Sequence, residues 1–297
     1  MLTGRLRAFV TGCVFALLVA GCGRPEPETI MARPAFWQVD GPNGERGYLL
    51  GTIHRLPAHV EWRGKVIDAA LGDAGMLVLE TADVGEPAKM QAIFERLAYS
   101  PGRPLLKDRV LAADRPHLST LMEKAGYKTG DFRSIETWAA ALILAQALQD
   151  DSDGGVANGV DAQLMALAGA RPVKELEGSA AQLAVFDTLA EQDQRDLLGA
   201  IVREADNSRE KADLLDKAWM TGDMAAIARE ADTGMMADTE LRDALLMRRN
   251  ARWANMVDAW LRAGERPFLA AGAAHMAGAE GLPALLELRG WTVKRVQ

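Results

Sequence analysis

Three short apolar runs, each ending on a chemically distinctive residue, constrain this chain more than any other feature. Tyr48-Leu49-Leu50 leads into Gly51-Thr52-Ile53-His54. Met76-Leu77-Val78-Leu79 leads into Glu80. Phe268-Leu269-Ala270-Ala271 leads into Gly272-Ala273-Ala274-His275. Apolar runs of this length, bounded by turn residues, read as strands buried on both faces of a sheet. In open α/β sheets, ligands bind in the crevice outside the carboxyl ends of the strands. Two imidazoles and a carboxylate, more than two hundred positions apart, are therefore expected to meet in one crevice. A lone histidine is more often a packed side chain. The repetition of strand, Gly-x-x-His favours a functional pair.

The rest of the body supplies helices around such strands. Phe36–Val39 and Tyr48–Leu50 flank Gly41-Pro42-Asn43-Gly44, which predicts a hairpin. Helices are expected from Lys65 to Gly72, near Ile135–Gln149 and over Val160–Ala168. The stretch from Ala180 to about Arg262 reads as helical almost throughout. Further strands are expected at Pro172–Leu176 and Trp291–Val293, with a helix at Leu282–Leu288. Strands at both ends with a helical middle give an α/β fold: a mixed sheet with helices and a large, mostly helical insertion. Trp219, Trp253 and Trp260 sit among apolar neighbours and read as core. Asp150-Asp151-Ser152-Asp153-Gly154-Gly155 lacks the spacing and closing glutamate of a calcium loop and reads as a solvated connection.

The N-terminus reads as an address. Arg5 and Arg7 precede a short apolar stretch around Phe15–Ala20, too short to span a bilayer. It closes on Val19-Ala20-Gly21-Cys22, which resembles a bacterial lipobox, so Cys22 is the expected lipidation site. The alternative is a plain secretory signal with an incidental cysteine. The expected layout is a signal peptide over 1–21, a tether over 22–34 and one α/β domain over 35–297. The mature chain would be lipid-anchored in the cell envelope, at the outer membrane facing the periplasm, since Gly23 rather than aspartate follows Cys22. The formal charge of −7 argues against nucleic acid as a partner.

Composition also narrows the chemistry. The two cysteines, Cys13 and Cys22, both lie in the N-terminal segment. The body thus has no disulfide, thiolate site or cysteine nucleophile. There is no Gly-x-Ser-x-Gly elbow, no P-loop and no Gly-x-Gly-x-x-Gly after a strand. What remains is His54, His275 and Glu80, a set that suits a divalent metal with an open position for water. Glu80 is either a ligand or the general base. His59, five residues from His54 across Pro57, reads as a loop residue, and His117 as a surface or helix-start residue. Glu175 and Glu177, at another strand end, either face the same crevice or lie exposed. Arg249 and Asn250 form either part of a charged helical face or a substrate-binding pair for a carboxylate.

At these residues the chain resembles the TraB/PrgY/GumN family, which includes the Tiki proteases. The resemblance rests on Leu50–His54, Leu79-Glu80 and Gly272-Ala273-Ala274-His275-Met276-Ala277-Gly278. It is supported by Gly159-Val160-Asp161, Leu176-Glu177, Arg249-Asn250 and the closing segment from Gly281 to Val293, and spans about 35–296. Met276 replaces the frequent leucine, a mild swap. The resemblance implies a fold related to erythromycin esterase and ChaN-like haem-binding lipoproteins. It also implies a metallopeptidase-like site of His54, His275 and Glu80; the expected cofactor is a divalent ion, manganese, cobalt or zinc, its identity left open. The implied substrate is an envelope or secreted peptide. The rival expectation is a non-catalytic envelope lipoprotein that binds haem or peptide in the same crevice.

Overall fold

A computed structural model describes residues 28–83, 86–149, 155 and 158–297. The expected signal peptide, Cys22, the first part of the tether and residues 150–154 of the acidic loop lie outside the described residues. Six strands build one mixed sheet. Antiparallel pairing of β2 (Phe36–Asp40) with β3 (Arg46–Thr52) forms the expected hairpin, its turn closed by Gly41 N–H donating to the Glu45 carbonyl at 2.9 Å. Next come β5 (Met76–Leu79), β6 (Val173–Glu175), β7 (Pro267–Gly272) and β8 (Thr292–Arg295). The order across the sheet is β6-β5-β7-β3-β2-β8. The neighbours β6, β5, β7 and β3 run parallel, while β2 runs against both β3 and β8. A separate parallel pair joins β1 (Ile30–Met31) to β4 (Val60–Glu61).

The period of two along the strands sends alternate side chains to two cores. On one face Tyr48, Leu50, Leu77, Leu79, Phe268 and Ala270 pack against α1 (Lys65–Asp73), α5 (Val160–Leu167), α8 (Ser208–Thr221) and α9 (Met224–Glu230). On the other, Leu49, Met76, Val78, Leu269 and Ala271 pack against α11 (Arg248–Arg262) and α12 (Leu282–Glu287). Trp219 and Trp253 are fully buried in these two layers and Trp260 is partly buried.

A third core belongs to helices alone. It joins α2 (Pro87–Ala98), α3 (Arg115–Lys124), α4 (Thr137–Gln149), α6 (Gly178–Asp187), α7 (Glu191–Glu204) and α10 (Thr239–Arg242) around Trp138, Leu144, Leu197 and Leu198. This is the helical insertion read from the sequence, and it comes in two pieces, before and after β6. At its heart Arg109, almost fully buried, donates to the carbonyls of Pro104, Phe132 and Ile135. Among the described residues no helix is long and apolar enough to cross a membrane.

Candidate functional site

The three central parallel strands put their carboxyl ends side by side. Leu79 of β5 pairs with Ala270 of β7, and Gly272 of β7 pairs with Thr52 of β3. Glu80 follows β5 directly, His54 lies two residues beyond β3, and His275 sits on a 3₁₀ turn, Ala273–Met276, that continues β7. Gly51 lies inside β3, and a Cβ there would stand 3.2 Å from the Ala273 Cα. Its lack of a side chain lets the turn carrying His275 press against the strand.

Glu80 is buried, and both its oxygens are engaged. Oε1 accepts from the Gly272 N–H at 2.8 Å; Oε2 accepts from Gln182 Nε2 at 3.0 Å and Arg249 Nη2 at 2.8 Å. Burial alone would raise its pKa. His275, Arg249 and the Gly272 N–H outweigh that effect and hold the carboxyl below its usual range.

His275 is set by Asn250, which is completely buried on α11. The amide Nδ2 donates to the Glu280 carbonyl at 2.8 Å, so Oδ1 faces His275 Nδ1 at 2.6 Å. Nδ1 must then carry the proton, and Nε2 presents a lone pair. Burial pushes the His275 pKa down to about 4, so the ring is neutral at pH 7. Trp253 lies against it, ring centroids 4.4 Å apart.

His54 is oriented in the same way from the other side. Its Nδ1 is 3.1 Å from Oδ2 of Asp161, in the first turn of α5. The Val160 N–H binds the Ile53 carbonyl at 3.1 Å and locks that helix to the His54 loop. The Asp161 hydrogen bond raises the His54 pKa against the opposing effect of burial. Even so, 66% of the His54 side chain remains exposed, on the crevice side.

Arg249 lies between these groups. Nη2 reaches Glu80, Nε and Nη2 reach Glu177 Oε1, Nη1 donates to the Leu245 carbonyl at 3.0 Å, and Nη1 lies 3.3 Å from His275 Nε2. Its guanidinium carbon stacks over Trp253 at 4.6 Å. A π-helical turn, Asp243–Met247, runs directly into α11 and supplies the Leu245 carbonyl. Such turns are rare, and frequent at functional sites.

Above Glu80 and His54 opens a cavity of about 460 Å³. Pro87, Met90 and Phe94 of α2, with Leu183 of α6, make its apolar wall. Thr81, Asp83, Asp161 and Gln182 join Glu80 and His54 on the polar side, and no lysine or arginine lines it among the described residues.

The profile of the TraB/PrgY/gumN family matches residues 35–295. The chain belongs to the TraB/PrgY/gumN family. No curated protein and no solved structure matches it.

The matched span includes His54, Glu80, Asp161, Arg249, Asn250 and His275. Glu80 and His54 line the cavity, whereas His275 does not line it: it is buried behind Glu80, with Arg249 Nη1 3.3 Å from its Nε2 and Arg249 Nη2 on Glu80. Glu177 faces the same cluster with its side chain 6% exposed, whereas Glu175 is exposed and caps the loop after β5 through the Ala82 N–H at 2.6 Å. Arg249 and Asn250, read as either a charged helical face or a substrate-binding pair, are buried and bonded to Glu80, Glu177, His275 and the Glu280 carbonyl. His59 lies in the loop before β4 and His117 is exposed on α3. Sequence reasoning gave Asp161 no site role and did not single out Gln182. The only signal for Asp161 was its place in Gly159-Val160-Asp161 at a helix start.

The donor types fit a divalent metal. Each imidazole is held at Nδ1 by an acceptor, which leaves Nε2 for a metal, and a charged carboxylate stands beside His275. Among the described residues no three His, Cys, Asp or Glu side chains group closely enough to hold an ion as they stand. The Arg249 guanidinium stands between Glu80 and His275, with Nη2 on Glu80 Oε2 at 2.8 Å and Nη1 3.3 Å from His275 Nε2.

Proposed function

We propose that the crevice is the active site of a divalent-metal-dependent hydrolase of the metallopeptidase type, acting on an envelope or secreted peptide. The observation that carries the reading is the matched support of the two histidines: Asp161 holds Nδ1 of His54 and Asn250 holds Nδ1 of His275. Acceptors behind metal-binding histidines fix the tautomer and raise the basicity of the outward nitrogen. His54 and His275 would hold the metal, with Glu80 as third ligand or general base. A bound ion would supply water of lowered pKa, near neutrality.

The protein's own groups prepare the rest. Glu80 is kept ionised at neutral pH, as either role demands. The Met90, Phe94 and Leu183 wall would receive an apolar side chain of the substrate and expel water from the crevice. The acidic polar side, without a lining cation, favours a neutral or positively charged segment over a carboxylate terminus. The chain would be displayed in the envelope through a lipid on Cys22.

The test uses the full-length protein in detergent, fluorogenic peptides with apolar residues, and manganese, cobalt or zinc salts. Cleavage should require an added ion and stop with chelator. His54→Ala, His275→Ala and Glu80→Gln should each lower kcat/KM by roughly a hundredfold or more, the scale of losing a catalytic proton transfer or ligand. Cleavage indifferent to chelator and to all three substitutions contradicts the reading.

A further inference from the structure

Arg249 is unusually placed for a structural arginine. Its side chain is only 9% exposed, yet it divides one positive charge between two carboxylates, Glu80 and Glu177, both equally buried. It also meets the lone pair of His275 Nε2 at 3.3 Å. Carboxylates and an imidazole are donor types that also suit a divalent cation, although with Arg249 between them the described side chains do not group closely enough to hold one. The pairing with Glu177 is incomplete. Glu177 Oε2 is buried and has no hydrogen-bond partner; its nearest recorded cation, Arg252 Nη2, is 3.6 Å away and largely exposed. A buried carboxylate oxygen without a donor is costly and needs an explanation.

We propose that Arg249 is an internal cation that competes with the divalent metal for Glu80 and His275, and that Glu177 is the seat onto which it withdraws. The inference rests on the metal-dependent reading above. When an ion takes Glu80 and the His275 Nε2, the guanidinium closes onto Glu177 alone. A guanidinium and a carboxylate make two parallel hydrogen bonds when nothing divides them, and the open Oε2 is the acceptor for the second. The Leu245 carbonyl of the π-helical turn and the face of Trp253 stay within reach of the guanidinium throughout. The exchange keeps the buried acids compensated with or without metal, and sets metal affinity by the difference between two ion pairs.

Calorimetric titration of the full-length protein with manganese, cobalt and zinc chlorides separates the possibilities without reference to activity. Arg249→Met, which keeps length and removes charge, should bind at least tenfold more tightly than wild type. Glu177→Gln takes away the seat and should bind about tenfold more weakly. The double variant should bind like Arg249→Met, because Glu177 matters only through the arginine. Arg249→Lys covers the case that the neutral variant fails to fold. Its single ammonium cannot span Glu80 and Glu177 as the fork does, so binding should still tighten several-fold. Unchanged or weaker binding in the Arg249 variants, or a Glu177→Gln effect that persists in the double variant, overturns the competition and leaves the metal reading standing. No binding by wild type or any variant overturns both.

Discussion

Asn250 illustrates how one buried amide decides the chemistry of a histidine. With its nitrogen tied to the Glu280 carbonyl, it offers His275 only an oxygen, and the ring has one tautomer open to it. Asn250→Ala should lower metal affinity by about ten- to a hundredfold and cost about 1–3 kcal/mol of stability for the orphaned Nδ1–H; titration and denaturant unfolding measure the two. The pH dependence of stability follows from the two histidines in opposite senses. His275 is neutral when folded down to about pH 4, whereas in the unfolded chain it takes a proton near the ordinary value of 6.5. The unfolded state thus binds more protons between these limits, and stability falls as pH drops through that window, by up to about 1.4 kcal/mol per pH unit. His275→Asn should remove that part of the slope in denaturant unfolding at pH 7, 6 and 5. His54, with its pKa raised by Asp161, acts the other way: its contribution is present below pH 6.5 and is lost as pH rises through its folded pKa. Its exposure keeps that contribution small.

At the scale of elements, β5, β7 and β3 were legible because buried strands write themselves as short apolar runs, and their terminal residues fell where parallel strands must deliver them. The supporting helices were legible as helices, but the faces they present were not. Arg249 and Asn250 lie among charged residues of α11, Arg248, Arg252 and Asp258, so periodicity alone reads them as solvated. Only the packing of α11 against the sheet, Trp253 and Val257 inward, carries that pair to the strand ends. The π-helical turn before it leaves no sequence signature. Asp161 was hidden for a similar reason: its partner is 107 residues away. Gly51→Ala tests the contact between β3 and the His275 turn. The added methyl forces a shift against backbone, so a loss of about 1–3 kcal/mol is expected, visible in Tm, with weaker metal binding. On the apolar wall, Met90→Ala should raise KM several-fold with kcat nearly unchanged, the mark of lost uniform binding; a fall in kcat alone would place Met90 elsewhere in the reaction.

The whole molecule divides labour between its layers. The sheet and its two helical faces place Glu80, His275 and His54 at or just beyond the carboxyl ends of three neighbouring strands, while the purely helical core contributes α2 and α6 as the outer wall of the crevice. The wall and the donors are joined at one point, Gln182 of α6, which donates to Glu80 Oε2 at 3.0 Å. If the chain is displayed through Cys22 as proposed, Cys22→Ser should move it from the membrane to the soluble fraction while leaving metal binding intact; fractionation and titration together check this. The central claim is that two histidines and Glu80 share a divalent ion. It is tested most directly by crystals soaked in manganese, with data collected to show anomalous scattering. The account predicts one strong peak about 2.0–2.3 Å from Nε2 of His54, Nε2 of His275 and, where Glu80 is a ligand, one of its oxygens, with Arg249 turned onto Glu177. Crystals that carry manganese elsewhere, or nowhere, with Arg249 still bound to Glu80, would contradict it.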